Sequence, residues 1–433
     1  MLQPNKKISF FTAVLMDLNI ILGVGIYFIP SIVAQKVGTL GFTCWLLSGV
    51  ALFPILWNIA LASRLFPGTA GFYSYCQPTL GKTAGFMASW AYLIGLIATG
   101  MTQALVLKQT ILDTVNINFF HEHHILFNII FIGFFALINL FSVTLITRIQ
   151  GFTTLLKLFP IIAIIIVSFF VTKNIEPVSF NISESLSLMY CLPFAIFGYW
   201  GIESCVSIGH LLKGGPSKVF GVILTAFSIA VLLYTAFHFS ILRIMGLDAL
   251  ANKGIAFIPH FMELKNNNTV VLFKNAFVWI LILNYSNAVY GVFLSNIENL
   301  FTIAKKKLLP YGNILISSNK YHRPFFSVAL IYISSLILFT IIPKKEIMLV
   351  LANIGIITAF FMTLLSVFVE QKKQNKNRIP VVIGFISCIL LSVFSWKSID
   401  AETIQKIVYS FPFFAWMGLG YLFYCYQLSK TTD

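Results

Sequence analysis

The sequence predicts an all-α membrane protein with twelve transmembrane helices. A 5+5 inverted repeat is followed by two additional helices, and spans 1 and 6 are discontinuous. Hydrophobic residues make up 58% of the chain, charged residues 10%, and the mean hydropathy is +0.89, far from the balance of soluble proteins. Apolar runs of the length that crosses a bilayer, about 20 residues, recur along the chain. Two of these runs carry paired glycines near their middle.

The apolar runs predict a single transmembrane domain over residues 1–433. The inverted repeat is expected to comprise 8–172 and 187–369, with the additional helices within 379–427. Short polar segments separate the spans, as in other multi-pass proteins. The predicted spans are 8–34, 41–63, 84–107, 125–147, 150–172, 187–210, 217–242, 272–301, 325–342, 347–369, 379–396 and 407–427.

Span 1 contains the segment from Asn19 to Pro30, which reads NIILGVGIYFIP. Gly23 and Gly25 lie in its middle, where each glycine lowers helix propensity by roughly 1 kcal/mol. We therefore expect the helix to break there. A break at membrane depth is tolerated where the freed backbone faces protein or a cavity, and in transporters it commonly forms the substrate site. A small-residue packing face for another helix is the alternative.

Span 6 reads LPFAIFGYWGIESCVSIGH and carries Gly198 and Gly201 about as deep in the helix as Gly23 and Gly25 are in span 1. The second break comes five helices after the first. Because five is odd, the second block of helices enters the membrane from the opposite side, which predicts an inverted repeat. Paired breaks one repeat apart favour a substrate site over a simple packing face.

The formal net charge is +15, but the basic residues lie in short tracts between apolar runs. This pattern indicates cytoplasmic loops rather than a nucleic-acid partner. Twelve crossings put both termini on one side of the bilayer. With that side cytoplasmic, most Lys and Arg residues lie inside and the only acids there are Glu370 and Asp433. We therefore expect a multi-pass protein of the cell inner (plasma) membrane with cytoplasmic N- and C-termini.

Four segments carry a resemblance to a known family. The run 23–27 reads GVGIY, a Gly-x-Gly-Ile-aromatic signature, and the loop into span 3 reads FPGTAGFYSYCQPTLGKTAGFMASW. Ile138 to Leu158 is similar to a segment joining spans 4 and 5, and Phe197 to Glu203 matches aromatic-x-x-x-Gly-x-Glu. In order and spacing, the chain resembles the amino acid–polyamine–organocation (APC) superfamily of permeases and antiporters. The resemblance implies a LeuT-like fold and transport of amino acids or related amines.

Ala70 replaces the first of the family's paired glycines in the loop into span 3, and the chain departs from the family pattern at two further places. After span 6 it has KGGPSK at 213–218 where the family usually shows Asn-Pro-x-Arg, and Ile297-Glu298 stands where span 8 usually ends in Ser-Arg. These departures leave the cytoplasmic gate and the substrate class open.

Broken helices would expose backbone groups that suit a zwitterion. The outer half of a broken span begins with unpaired N–H groups and the inner half ends with unpaired carbonyls, and these ends carry partial charges of roughly half a unit. Amides in span 1 can bind a carboxylate, and carbonyls in span 6 from Phe194 to Phe197 can bind an ammonium. The candidate substrate-binding residues are Gly23, Val24, Gly25, Ile26, Phe194, Phe197, Gly198, Gly201 and Asn287. Phe197, Tyr199 and Trp200 are candidate lid residues, with core or lipid-facing packing as the alternative.

Ionisable residues within the spans mark a pathway, a relay or a partner. Asp17 and Lys157 each lie nine residues into an outward-running helix, roughly 13 Å above the inner edge, so we expect the two side chains to approach each other. Lys157 also resembles a fifth-span lysine of sodium-independent relatives, which implies that its ammonium replaces a sodium ion. A lysine that reaches the inner interface is the alternative.

Glu203 follows the break in span 6 and is a candidate proton acceptor, or else a structural hydrogen-bond partner. Asp17, Lys157 and Glu203 form the predicted coupling set. Glu298 is expected to close a cytoplasmic ion pair near Lys305 to Lys307, and Asn284, Ser286 and Asn287 are candidates for lining the pathway. The cluster His121-Glu122-His123-His124 is interpreted as a solvated outer turn rather than a metal site.

The leading functional hypothesis is a secondary transporter that moves an amino acid or a polyamine-like amine by alternating access, without sodium, by proton symport or by exchange. A non-transporting sensor, or a subunit that requires a partner, is the alternative. No enzyme motif is present among His-Glu-x-x-His, Gly-x-Ser-x-Gly and Gly-x-x-x-x-Gly-Lys-Ser/Thr, and no cofactor or metal is predicted. The lipid bilayer is an expected partner. The sequence leaves open which amino acid or amine is transported and whether the protein forms a homodimer.

Overall fold

The computed structural model describes residues 7–67, 71–115, 122–171, 182–262, 266–342, 344–397 and 403–432. These ranges are helical apart from turns and two isolated bridges, and they contain no named strand. The helices are α1 Phe10–Ile21, α2 Val24–Val37, α3 Thr43–Leu65, α4 Phe72–Val115, α5 His124–Ile138, α6 Val143–Phe170, α7 Ile182–Phe197, α8 Cys205–Ile208, α9 Val219–Met245, α10 Leu247–Lys253, α11 Ile258–Phe261, α12 Asn267–Lys305, α13 Gly312–Leu315, α14 Phe325–Ile341, α15 Lys345–Lys373, α16 Ile379–Lys397 and α17 Thr403–Thr432.

Within the described ranges, eight helical segments are long and apolar enough to cross a membrane. Four shorter apolar helices accompany them, at Phe10–Ile21, His124–Ile138, Ser187–Phe197 and Phe325–Ile341. Because a bilayer crossing needs about 20 apolar residues, this content defines an integral membrane protein. The eight long segments are Val24–Leu65, Phe72–Thr114, Arg148–Phe170, Pro216–Met245, Asn267–Lys305, Ile347–Lys373, Ile379–Lys397 and Gln405–Lys430.

The predicted boundary between spans 4 and 5 is wrong. The span predicted at 125–147 ends at Ile138, and the next helix already begins at Val143. Ser142 caps that helix by accepting a hydrogen bond from the Leu145 amide at 3.4 Å, and serine is strongly favoured at an N-cap. The turn is hidden in the sequence because apolar residues flank it on both sides.

The centre of the molecule is built on α4, α12 and α15, which we call the frame. A Cβ added to Gly355 of α15 would lie only 2.6 Å from the Cα of Gly95 in α4, and a Cβ on Gly100 would lie 2.7 Å from Val292 of α12. Small residues allow helix backbones to approach this closely in membranes. The frame therefore gives the remaining helices a fixed surface to pack against.

Candidate functional site

The helical path is interrupted twice within apolar segments, at the glycines that the sequence singles out. Between α1 and α2, Leu22 has ψ 46° and Gly23 has φ −98° and ψ −134°, both outside the helical region. Between α7 and α8, tight turns run from residue 198 to 204, and Gly201 adopts a φ of +102°. Both interruptions are buried, so their freed backbone groups face protein.

The carbonyl end of α1 is satisfied by side chains from three other helices. The last carbonyls of a helix have no intrahelical partner, and here each of three meets a different donor. The donors are Lys157 Nζ to Asn19 O at 2.7 Å, Gln103 Nε2 to Ile20 O at 3.4 Å, and the Tyr234 hydroxyl to Ile21 O.

The predicted approach of Asp17 and Lys157 is wrong. Lys157 is only 2% exposed and donates to the backbone carbonyl of Asn19, whereas Asp17 accepts hydrogen bonds from Ser204 and Cys205. The helix C-terminus carries a partial negative charge, so the backbone of α1 takes the place of the expected carboxylate. Because Lys157 is buried this deeply, the alternative of a lysine whose ammonium reaches the inner membrane interface is excluded.

The amide end of α2 has no side-chain cap. Gly23 is the N-cap residue and makes no capping bond, and Val24, Gly25 and Ile26 form the first turn. Space at this end is tight, since a Cβ on Gly23 would lie 2.8 Å from the Cβ of Ala288 and 3.1 Å from Gln103 Oε1. The first amides of α2 therefore lie in a closely packed, buried setting.

The first turn of α2 touches the second interruption. A Cβ added to Gly25 would lie 2.8 Å from the Cα of Gly198, and a Cβ on Gly198 would lie 2.7 Å from the ring of Trp45. The Tyr234 hydroxyl lies within hydrogen-bonding distance of the carbonyls of both Gly198 and Ile21. A hydroxyl has one proton to donate, so it serves one of these two carbonyls at a time.

The carbonyl end of α7 is tightened by bonds to amides three residues further on. The backbone carbonyls of Ala195, Ile196 and Phe197 accept hydrogen bonds from the amides of residues 198, 199 and 200 at 3.1, 2.8 and 3.2 Å. Phe194 is half-buried, and the Lys36 ammonium lies 5.7 Å from its ring centroid. Carbonyl oxygens have two lone pairs, so each of these can still accept a second hydrogen bond.

Two of the three candidate lid aromatics are held by their polar atoms. The Tyr199 hydroxyl donates to the Trp45 carbonyl at 3.0 Å, and the Trp200 indole N–H donates to Asn353. Phe197 is 5% exposed and has no polar atom to tether it. Phe197 is thus held by apolar packing alone.

Two buried carboxylates lie beside the second interruption. Glu203 folds back so that its Oε2 accepts the Gly201 amide at 3.1 Å. Asp17 Oδ1 accepts from the Ser204 hydroxyl at 2.7 Å and from the Cys205 amide at 3.0 Å. The other oxygen of each carboxylate has no hydrogen-bond partner in the described part of the chain. No cation within ion-pair distance of either carboxylate is found among the described residues.

The polar residues of α12 connect to the first interruption. The Asn19 side-chain amide donates to the Asn287 backbone carbonyl at 3.1 Å. The Asn287 side-chain amide in turn donates to the Thr153 hydroxyl. Asn284 donates to the Tyr27 hydroxyl at 3.0 Å. Ser286 bonds within its own helix and, with Asn287, lines an apolar cavity of about 310 Å³ between α5, α6 and α12.

Glu298 forms an ion pair with Arg323 rather than with the lysines that follow it. His210 Nε2 lies 3.6 Å from its second oxygen, and Arg323 Nε donates to the Asn139 carbonyl at 3.0 Å. Arg323 is completely buried. The expected ion pair is present, with a partner 25 residues away instead of within the same tract.

The histidine cluster of the predicted outer turn lies only partly within the described residues. His121 lies outside the described residues, while Glu122, His123 and His124 begin the region of α5. Among residues that the structure describes, no group of three His, Cys, Asp or Glu side chains is arranged to hold a metal ion.

Sequence reasoning missed Gln103 and Tyr234, which satisfy the end of α1, and Trp45, whose indole donates to His238 at 3.0 Å. A signal for Gln103 and His238 is available in the sequence, because each is a polar residue within an apolar run. Tyr234 gives no such signal, since tyrosine is common in these spans.

Buried helix interruptions in an all-helical membrane protein are a feature of transporters built on broken helices. The model of the family described as amino acid permease matches residues 8–421, and the chain belongs to this family, within the APC superfamily. It is 23% identical over 387 residues to the serine/threonine exchanger SteT of Bacillus subtilis (strain 168), covering 86% of this chain and 85% of the relative.

The fold is similar to that of a manganese transporter from Eremococcus coleocola, with a TM-score of 0.54, 12% identity, and coverage of 96% of this chain and 93% of that one. A second structure of that transporter matches with a TM-score of 0.54 and 11% identity. At this identity the likeness concerns the fold alone. Family and relatives together support a transporter role rather than an enzymatic one, and the family implies an amino acid substrate.

Proposed function

We propose that this protein is a secondary active transporter that moves amino acids or related amines across the cytoplasmic membrane by alternating access. The observation that carries the proposal is the contact between Gly25, in the first turn of α2, and Gly198 in the second interruption. This contact brings the uncapped amides of α2 next to the carbonyl end of α7. An α-amino acid carries its carboxylate and ammonium a few ångströms apart and matches that pair of backbone charges.

The proposed topology has twelve spans in one domain over residues 1–433, with both termini cytoplasmic. In it, α1 and α2 form a discontinuous span 1, and α7 and α8 form a discontinuous span 6. The inverted repeat comprises 8–172 and 187–369, and α16 and α17 are the additional helices. The lysine and arginine bias of the loops supports this orientation.

We propose that transport is independent of sodium and runs by exchange or with protons. Lys157 supports the first point, because its ammonium already lies on the Asn19 carbonyl at 2.7 Å, where a metal cation would otherwise find negative charge. Asp17 and Glu203 support proton coupling, since both are buried carboxylates without a cationic partner in the described ranges. A buried ionisable group in a membrane protein commonly serves such a relay.

Small neutral amino acids are the first substrates to test. Gly23, Gly25 and Gly198 each face neighbours within 2.8 Å of an added Cβ, so the interruptions enclose little space. The serine/threonine exchanger named above supports the same choice.

The test is counterflow in proteoliposomes loaded with a panel of amino acids and amines, with and without a pH gradient. We expect counterflow of at least one small neutral amino acid, and we expect this counterflow not to depend on sodium. Gly25→Ala should lose uptake because its Cβ meets the Gly198 backbone, whereas Gly418→Ala should transport normally because nothing lies within 4 Å of Gly418. If the folded protein exchanges no member of the panel, the proposal is wrong and the protein is better explained as a sensor or as a subunit that requires a partner.

A further inference from the structure

The apolar cavity between α5, α6 and α12 opens on the outer surface of the helical bundle. Phe135 and Asn287 form part of its floor and are buried. Leu145, Ile149 and Leu283 form part of its rim and are exposed. Because α6 and α12 contain apolar segments long enough to cross a membrane, the medium outside this rim is the hydrocarbon of the bilayer. The cavity is therefore a lateral recess that a lipid chain can enter.

The dimensions of the cavity match one acyl chain. The cavity follows α6 from Leu145 near its start to Thr153, a distance of roughly 12 Å at 1.5 Å per residue, and Phe141 extends it beyond the start of the helix. One leaflet of the bilayer contributes roughly 15 Å of hydrocarbon. The volume of about 310 Å³ lies at the lower end of the range for ligand cavities. The cavity thus has the depth of one leaflet and the width of a single chain.

Cationic side chains lie at the end of the cavity where α6 begins. Arg148 is exposed on α6, directly before Ile149 of the rim. Lys320 is exposed as well, and its ammonium lies 5.1 Å from the ring centroid of Tyr321. The Tyr321 ring in turn contacts Phe141 of the cavity wall, with centroids 5.5 Å apart. Among the described residues, neither cation has a carboxylate within ion-pair distance, so this mouth of the cavity is positively charged.

The segment that carries Lys320 is fixed beside the start of α6. The Asn319 side-chain amide donates to the Leu140 carbonyl at 2.8 Å, and α6 begins two residues later with Ser142 as its N-cap. A helix N-terminus carries a partial positive charge that attracts phosphate groups. The two side-chain cations and the helix end therefore offer an anionic headgroup one common position.

The floor of the cavity is connected to the first interruption by hydrogen bonds. Thr153 and Asn287 both line the cavity, and the Asn287 side-chain amide donates to the Thr153 hydroxyl. Asn19 donates to the Asn287 backbone carbonyl at 3.1 Å, and the Asn19 carbonyl accepts from the Lys157 ammonium at 2.7 Å. An empty cavity would leave its wall without packing contacts on one side. A chain that fills it packs against the two side chains that join α6 to α12.

We propose that this cavity binds one acyl chain of an anionic phospholipid whose phosphate lies on Arg148 and Lys320, and that the bound lipid stabilises the contact between α6 and α12 beside the first interruption. In the proposed topology this mouth faces the cytoplasmic leaflet, whose anionic headgroups attract basic side chains. The lipid is a ligand of the protein and is not its substrate.

The first test measures phospholipid binding to the full chain in detergent by native mass spectrometry. We expect one dioleoylphosphatidylglycerol to bind more tightly than the neutral dioleoylphosphatidylcholine. Arg148→Gln with Lys320→Gln should weaken phosphatidylglycerol binding about fivefold for each charge removed and leave phosphatidylcholine binding unchanged. Equal affinity of the wild type for the two lipids would overturn the anionic site.

A second basic pair provides the control for these charges. Lys372 and Lys373 are exposed at the end of α15 and do not line the cavity. Lys372→Gln with Lys373→Gln should therefore bind phosphatidylglycerol like the wild type. Equal losses in the two double variants would show that only the total charge matters, and would contradict a site at Arg148 and Lys320.

The second test fills the cavity. Leu145→Trp places a larger side chain at the rim and should lower the affinity for both phospholipids, with Ile149→Trp as the replacement if that variant does not fold. Leu156→Trp is the control, because Leu156 is exposed on the same helix outside the cavity. Wild-type affinity in a folded rim variant would overturn the acyl-chain site. Displacement of the lipid by sn-glycerol 3-phosphate, which has no acyl chain, would overturn it as well.

Stability and exchange test the effect on the first interruption. Phosphatidylglycerol should raise the thermal unfolding midpoint of the wild type but not that of Leu145→Trp. In proteoliposomes the wild type should exchange amino acids faster with phosphatidylglycerol present than in phosphatidylcholine alone, whereas Leu145→Trp should exchange at one lower rate in both. A midpoint and a rate that do not respond to phosphatidylglycerol would contradict the stabilising role. If the wild type exchanges nothing in either membrane, the proposed function fails, while binding and the thermal midpoint still decide the lipid site.

Discussion

At the scale of single residues, Lys157 is the most direct test of how the first interruption is held. Its ammonium lies on the carbonyl end of α1, and Lys157→Ala leaves a buried carbonyl without a partner at a cost of about 1–3 kcal/mol. We expect the uptake rate in proteoliposomes to fall about tenfold or more and its pH dependence to change. A variant equal to wild type in both respects would exclude the coupling role.

Lys108 offers the matched control for this substitution. It is a partly buried lysine that donates to the Asn128 side chain at 2.8 Å, away from both interruptions. Lys108→Ala should therefore leave the uptake rate and its pH dependence close to wild type. A similar loss in both variants would point to a general effect of removing lysine.

The hydroxyl of Tyr234 leads to a second prediction at the scale of single residues. This hydroxyl is the only group lost in Tyr234→Phe, and it donates to the carbonyl of either Ile21 or Gly198. We expect the variant to fold but to exchange substrate about tenfold more slowly, since an unmade buried hydrogen bond costs about 1–3 kcal/mol. Tyr332→Phe is the control, because that hydroxyl bonds Ile129 O at 3.3 Å on an exposed part of the chain. Equal counterflow rates in the two variants would contradict this role of Tyr234.

The sequence identified the glycines of both interruptions but not the partners of the charged residues. Paired glycines within apolar runs are visible in any sequence, because glycine is a poor helix former. The expected pairing of Asp17 with Lys157 failed for a geometric reason. Counting residues from the helix start gives the height of a side chain, but not the direction in which it points around the helix.

At the scale of elements, the turn between α7 and α8 depends on Gly201. Its φ of +102° and its contact with Ile20 leave no room for a Cβ, and residues with a side chain pay roughly 1–2 kcal/mol in left-handed conformations. Gly201→Ala should lower the thermal unfolding midpoint in detergent and abolish counterflow.

Gly151→Ala is the control for that substitution. Gly151 lies inside α6 with nothing within 4 Å of an added Cβ, and alanine favours a helix over glycine by about 1 kcal/mol. We expect an unchanged or higher midpoint. A fall of the same size in both variants would show that Gly201 has no special conformational requirement.

Helix boundaries were predictable only where polar residues mark them. The span predicted at 84–107 corresponds to α4, which extends from Phe72 to Val115 and is kinked at Gly81, where φ is +90°. A hydropathy window finds the lipid-crossing centre of such a helix, but it does not find its interfacial turns. The turn at Ser142 was missed because its neighbours are apolar.

At the scale of the whole molecule, the buried pair of Arg323 and Glu298 joins distant segments. Arg323 also donates to the last residues of α5 through the Asn139 carbonyl. Removing one member of a buried pair costs about 3–5 kcal/mol, because the other charge is left uncompensated. We expect Glu298→Gln or Arg323→Met alone to lower the thermal midpoint strongly, and the double variant to recover much of the loss. Additive losses in the double variant would contradict the pairing.

Composition was enough to predict the membrane class, since that class depends on totals rather than on contacts. The Arg323–Glu298 pair and the role of Tyr234 depend on tertiary packing between segments far apart in sequence. Neighbouring helices offer many residues at the same membrane depth as possible partners for one side chain. The sequence alone does not choose among them.

The central claim is that backbone groups at the two interruptions hold a zwitterion. The most direct measurement is an experimental structure of the protein with an exchanged amino acid bound. The account predicts its carboxylate on the amides of Val24 and Gly25 and its ammonium on the carbonyls from Phe194 to Phe197. A substrate bound elsewhere, or continuous helix through residues 22–24 and 198–204, would contradict it.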